Sequence, residues 1–136
     1  MPKGRTDVMS IDYSMPVLVV DDYQTVLRIM RNLLRRAGFA EVDTAGDGEE
    51  ALAKMRERKY GLVISDWYMA PVNGIDLVRQ ARSDDALKET PIILVSGDGS
   101  PDNLKVANDA GASGYVLKPF DSQTLKAKIE TVFAAA

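Results

Sequence analysis

The sequence predicts one α/β domain built on a doubly wound parallel sheet. Three observations carry this. Short apolar runs alternate with stretches of helical period along the chain. The runs at Val17–Val20, Leu62–Ser65 and Ile92–Val95 are apolar almost throughout, as strands covered on both faces are. The length of 136 residues suits a single domain, and 46% hydrophobic residues can supply its core.

Taken in order, residues 1–14 are polar and aperiodic and read as a flexible leader before a domain over 15–136. Val17–Val20 is the first strand. Val26, Ile29, Met30, Leu33 and Ala37 share one face of the first helix, which Gly38 stops. A weaker strand lies at Val42–Ala45. Asp47-Gly48-Glu49-Glu50 places acids at the positive end of a second helix, with Leu52 and Met55 facing the core. After Leu62–Ser65, the positions Ile75, Val78 and Ala81 repeat in a third helix. After Ile92–Val95, the positions Leu104, Ala107 and Ala110 repeat in a fourth, ended by Gly111. Tyr115–Leu117 is the last strand. Asp121 then caps a helix striped by Leu125, Ile129 and Val132. This is (βα)5. Right-handed crossovers leave few topologies, and the flavodoxin-like strand order 2-1-3-4-5 is expected, with its crevice at the carboxyl ends of strands 1 and 3.

Composition excludes several chemistries. The chain has no Cys and no His, so thiol catalysis, thiolate or imidazole metal sites and a Ser-His-Asp triad are impossible. The net charge of −3 argues against nucleic acid and anionic lipid as general partners. No apolar run reaches membrane-spanning length, and the first residues lack a secretory h-region, so a cytoplasmic location is expected.

Chemistry must then run on carboxylates, hydroxyls, lysine and backbone. Asp21 and Asp22 follow the first strand, Asp66 the third, Ser96 the fourth and Lys118 the fifth. Each has a plain structural alternative: a helix N-cap pair, a loop acid, a loop hydroxyl, a solvated cation. Their convergence on one edge of one sheet is the stronger signal. Carboxylates gathered in one crevice repel, and Mg²⁺ would relieve them, since it takes one or two carboxylates and accepts phosphate oxygens. Asp66, on the central strand, is the natural nucleophile toward phosphorus. Lys118 would add positive charge and Ser96 a hydroxyl donor.

The segments VLVVDD (17–22), VISDW (63–67), ILVSGD (93–98) and GYVLKPF (114–120) resemble the receiver domains of two-component response regulators, over roughly residues 15–135. Within that family the chain looks most similar to stand-alone chemotaxis regulators. The resemblance implies phosphorylation of Asp66 by a histidine kinase. It implies Mg²⁺ held by Asp22 directly, by Asp21 largely through water, by Asp66 and by the backbone carbonyl of Tyr68. It makes Lys118 the phosphate-binding lysine, Ser96 the hydroxyl that moves to the phosphoryl group, and Tyr115 the aromatic switch. It places Trp67 beside the phospho-site and implies a cis Lys118–Pro119 bond. By the same resemblance the protein is a monomeric phospho-acceptor rather than an enzyme acting on other substrates. Its partners would be a chemotaxis-type histidine kinase, a phosphatase and a flagellar motor-switch protein, the last bound by the face of the fourth helix, fifth strand and fifth helix.

Three alternatives stand beside this one. A phosphate sink or phosphorelay intermediate would use the same chemistry without a motor. A Mg²⁺-dependent phosphohydrolase would need an acid two places after Asp66, where Tyr68 stands. A flavin binder would need a glycine-rich first turn, where Asp21-Asp22-Tyr23-Gln24 stands. The chain also departs from the family pattern after Asp66. The proline falls at Pro71, one place late. Tyr68 is bulky, and Asp98 lies two places after Ser96.

Overall fold

The computed structural model describes residues 11–134. Five parallel strands form one sheet in the order β2-β1-β3-β4-β5. They are β1 (Val17–Val20), β2 (Val42–Ala45), β3 (Leu62–Asp66), β4 (Ile92–Ser96) and β5 (Gly114–Leu117). The helices are α1 (Gln24–Ala37), α2 (Gly48–Glu57), α3 (Gly74–Arg82), α4 (Pro101–Ala110) and α5 (Ser122–Ala134). This is the predicted flavodoxin-like (βα)5 fold. The register sets Val20 beside Ser65 and Asp66 beside Val95, so β1, β3 and β4 end at nearly one level.

The central strands β1, β3 and β4 are buried at every position. Successive side chains point to opposite faces, so each strand feeds two cores. Leu18, Val63, Ile92 and Leu94 pack with α2, α3 and α4 on one face. Val17, Val19, Leu62, Ile64 and Ile93 pack with α1 and α5 on the other. The outer strand β5 is buried only at Val116, and Leu117 is exposed.

Two expected helix faces are corrected. The buried positions of α1 are Leu27, Met30 and Leu34, not the stripe through Val26, Ile29 and Leu33. The two sets overlap on the helical wheel at Met30, and the sheet meets α1 one column further round. In α4 only Ala107 is buried, and Leu104 lies exposed. The stripes of α3 and α5 are buried as expected.

Residues 1–10 of the expected leader lie outside the described residues. Ile11 and Tyr13, also assigned to it, instead pack against the α1/α5 core, with the Tyr13 ring 4.8 Å from that of Phe39.

Helix ends follow the sequence signals. Gly38 and Gly111 close α1 and α4 with φ of +119° and +101°, where L side chains are strained. The carboxylates of Asp47 and Asp121 accept from the N–H groups of Glu50 and Thr124. Arg82, at the end of α3, is a tie that no local pattern marks. Its guanidinium donates to the carbonyls of Gly111, Lys88 and Thr90, joining the two loops that lead into β4 and β5.

Gly74 fixes how closely α3 approaches the end of β3. A Cβ there would stand 2.4 Å from the Asp66 carbonyl and 2.9 Å from Leu94. A Cβ on Gly97 would meet nothing within 4 Å. Gly74→Ala should therefore destabilise the fold by about 1–3 kcal/mol through overpacking. Gly97→Ala should stay within about 0.5 kcal/mol of wild type. Urea denaturation midpoints measure both.

Candidate functional site

The carboxyl ends of β1 and β3 bring together the acids that the sequence placed there. Oxygens of Asp21, Asp22 and Asp66 lie within 4.8 Å of one another. Asp21 and Asp66 are buried, whereas Asp22 faces solvent. The plain reading of Asp21 and Asp22 as helix caps fails on geometry. Tyr23 occupies the N-cap position of α1 and makes no side-chain cap bond. The Asp21 carboxylate instead accepts from the Tyr23 N–H at 2.9 Å, which holds it in the crevice.

Lys118 reaches over from the end of β5. Its Nζ stands 2.6 Å from Asp66 Oδ1, a charge-assisted contact with the lysine part exposed. One ammonium thus faces three carboxylates. Burial pushes the Asp21 carboxyl above the ordinary carboxylate range. The charges of Asp66 and Asp22 push the same way, against the Tyr23 N–H and Lys118. The donor set is all oxygen, carboxylate-rich and open to solvent on the Asp22 side. That suits a hard divalent cation that keeps part of its water shell, as Mg²⁺ does.

The loop after β3 is held from two sides. The Trp67 carbonyl accepts from Gly74 N–H at 2.8 Å, and the Val72 carbonyl accepts from Gly48 N–H at 3.1 Å. No donor among the described residues reaches the Tyr68 carbonyl. Asn73 caps α3 by accepting from the Asp76 N–H. The displaced proline is accommodated with a cis Ala70–Pro71 bond, and Lys118–Pro119 is cis as well. The Tyr68 side chain is 60% exposed and stacks on Trp67, so it stands at the rim of the site.

No hydrogen bond joins Ser96 or Tyr115 to Asp66 among the described residues. They meet instead on Asp98. Buried Ser96 Oγ accepts from the Asp98 N–H at 3.1 Å, and the Tyr115 hydroxyl donates to the Asp98 carbonyl. The Tyr115 ring also packs edge-on against Trp67, with centroids 5.8 Å apart. Sequence reasoning noted Asp98 only as an acid near the site. Its backbone role leaves no residue-type signal. Gly74 was likewise seen only as part of a loop motif, and its close approach to Asp66 needed coordinates.

A doubly wound sheet with an acidic cluster and a lysine at its carboxyl edge defines the class of the protein as a signalling receiver domain. Residues 17–130 match the response regulator receiver domain, and the chain belongs to that family. It is 42% identical to the chemotaxis protein CheY of Pseudomonas aeruginosa, covering 88% of this chain and 96% of that protein. It is 37% identical to chemotaxis protein CheY-3 of Vibrio cholerae, covering 90% and 95%. Among solved structures, chemotaxis protein CheY4 of Vibrio cholerae superposes with a TM-score of 0.82 at 34% identity, covering 88% and 98%. A response regulator receiver domain protein from Clostridium thermocellum gives 0.79 at 30% identity, covering 89% and 95%. No helix among the described residues is long and apolar enough to cross a membrane.

Two substitutions should move metal-free stability in opposite directions. Lys118→Met leaves Asp66 without its cation and should cost about 1–2 kcal/mol. Asp21→Asn removes a buried charge and should stabilise the fold at neutral pH. Because the Asp21 carboxyl sits above its ordinary range, the native state binds that proton more tightly than the unfolded chain. The wild-type penalty is therefore full at neutral pH and fades as pH falls through the raised value. The advantage of Asp21→Asn should shrink over the same interval, in urea titrations with EDTA.

Proposed function

We propose that the protein is a stand-alone response regulator that takes a phosphoryl group on Asp66 in a Mg²⁺-dependent step and passes the signal to a protein target. The observation that carries this reading is the pairing of a buried Asp66 with Lys118 inside a cluster of three carboxylates. Asp21, Asp22, Asp66 and the free carbonyl of Tyr68 would hold the ion. When bound, Mg²⁺ neutralises phosphoryl oxygens as charge moves between donor and acceptor.

The chain's own residues do the rest. A carboxylate oxygen of Asp66 forms the new O–P bond as the donor's P–N or P–O bond breaks. The donor leaves with the bonding pair. Lys118 Nζ, already beside Asp66, stays with the transferred group as a second counter-charge. This chain has no His, so the phosphoryl donor is another molecule: a histidine kinase or a small acyl phosphate.

Asp98 supports a specific readout. Turning the Ser96 hydroxyl toward a phosphoryl oxygen gives up its bond to the Asp98 N–H. The 97–100 loop then moves and takes with it the carbonyl that holds the Tyr115 hydroxyl. Tyr115 can turn inward and reshape the face of α4, β5 and α5. That face already exposes Leu104, Val106 and Leu117, apolar side chains suited to a protein target. The CheY relatives are chemotaxis proteins, which favours a flagellar motor-switch target over a role as phosphate sink.

Incubation with acetyl phosphate and Mg²⁺ should add one phosphoryl group by intact mass, and Asp66→Asn or EDTA should abolish it. The absence of an adduct under these conditions would refute the reading. Tyr68 borders the path of the attacking water. Tyr68→Asn should speed loss of the phosphoryl group roughly tenfold, a barrier change of about 1.4 kcal/mol. An unchanged lifetime would remove Tyr68 from that role.

A further inference from the structure

Lys118 stands where an incoming phosphoryl group needs room. Its Nζ lies 2.6 Å from Asp66 Oδ1, so the two groups are already in contact. Transfer removes the charge that holds the ammonium there. Once an oxygen of Asp66 is bonded to phosphorus, the carboxylate charge is gone, and the new negative charge lies on the phosphoryl oxygens, one P–O bond away. The ammonium must yield its place and follow that charge.

The base of Lys118 is not free to do so. Its backbone N–H donates to the Ser96 carbonyl at 2.8 Å at the end of the sheet. The movement therefore falls on the four-carbon stem. Outward lies solvent, where a swinging ammonium would lose its counter-charges. Inward lies a pocket of about 30 Å³. Its polar lining is Asp21, Asp66 and Lys118 itself, and the buried Val19, Ile64 and Val95 are among its apolar walls.

The size of this pocket sets it apart. Protein interiors are close-packed, and an unfilled volume costs stability. On the same side of the sheet, the pocket between α1 and α5 holds only about 10 Å³. A pocket needs about 10–15 Å³ to take a water-sized group. The one behind Lys118 exceeds that, so part of a lysine stem can enter without repacking its walls.

We infer that this pocket receives the Lys118 stem when Asp66 takes up a phosphoryl group, and that Val19, Ile64 and Val95 are positioning residues that keep it open. The methylenes suit the apolar walls, while the ammonium at the tip stays with polar partners. Asp21 lines the same pocket, so an inward shift keeps a carboxylate beside the ammonium. The three apolar residues act through Lys118 and not on the phosphoryl group. The inference rests on the phosphoryl-acceptor reading and deepens it, naming side chains that set how readily the site accepts the group.

The test fills the pocket and then restores it. Val95→Ile adds one methylene to a wall. Ile64→Val, on the neighbouring strand β3, takes one away, so the double variant conserves volume. Acetyl phosphate with Mg²⁺ is the probe, and intact mass is followed over time. In this reaction the donor's P–O bond breaks, acetate leaves with the bonding pair, and an Asp66 oxygen forms the new O–P bond. Val95→Ile should slow the initial rate roughly tenfold, and the double variant should recover most of that loss. Val19→Ile fills the pocket from β1 and should also slow the reaction. Two further readouts separate this from general damage. Urea midpoints without Mg²⁺ should stay at or above wild type in the filled variants, and Mg²⁺ titration of Trp67 fluorescence should be unchanged. Filled variants that react at the wild-type rate, or a slowed Val95→Ile that Ile64→Val does not rescue, would overturn the inference and leave the phosphoryl-acceptor reading standing. No adduct in wild type would overturn both.

Discussion

The structure is organised around an electrostatic conflict at the carboxyl edge of the sheet. Asp21, Asp22 and Asp66 crowd their oxygens within 4.8 Å, and one ammonium, from Lys118, is set against them. Burial of Asp21, reinforced by the like charges of Asp66 and Asp22, pushes its carboxyl above the ordinary range, and charged acids held there oppose folding. The fold tolerates the conflict because the strands that deliver these acids are the most completely buried elements of the molecule. The all-oxygen donor set of such a site fits a hard divalent cation, and under the proposed function that cation would offset the charge of an incoming phosphoryl group.

From that constraint the rest of the site follows. The acids must end their strands at one level, which the parallel register of β1 with β3 and of β3 with β4 provides. In the loop after β3, Gly74 and Gly48 hold the carbonyls of Trp67 and Val72, while that of Tyr68 accepts from no donor among the described residues. Lys118 comes from β5, two strands away from β3, so its contact with Asp66 spans β4 above Ser96. That arrangement sets the Asp66–Lys118 pair across the strand end that leads to Asp98, whose backbone joins Ser96 to Tyr115. Helix α4, buried only at Ala107, is the helix least anchored by buried apolar side chains.

Much of this was legible in the sequence. Strand positions, helix stops at Gly38 and Gly111, the acidic start of the second helix at Asp47, the cap at Asp121, and the gathering of Asp21, Asp22, Asp66 and Lys118 all follow from residue type and spacing. The failures have common causes. On α1 the apolar residues cover more than one face, so periodicity alone could not say which column meets the sheet. On α4 the repeat through Leu104 looked like a core stripe, but an outer strand gives that helix little to pack against. Ile11 and Tyr13 were read with the polar residues around them, and only the α1/α5 groove explains why they are covered. The ties made by Arg82, Gly74 and Asp98 run through backbone atoms of distant segments, which no local pattern encodes.

The account stands on the claim that the carboxylate cluster is a cation site held in an unrelieved state by the fold. Thermal unfolding of the full chain in Mg²⁺, against NaCl at matched ionic strength, tests it most directly. The account predicts a Tm that rises with Mg²⁺ in wild type and a rise that is lost when Asp21 and Asp22 are both changed to Asn. A Tm indifferent to Mg²⁺ in wild type, or an equal rise in the double variant, would contradict it.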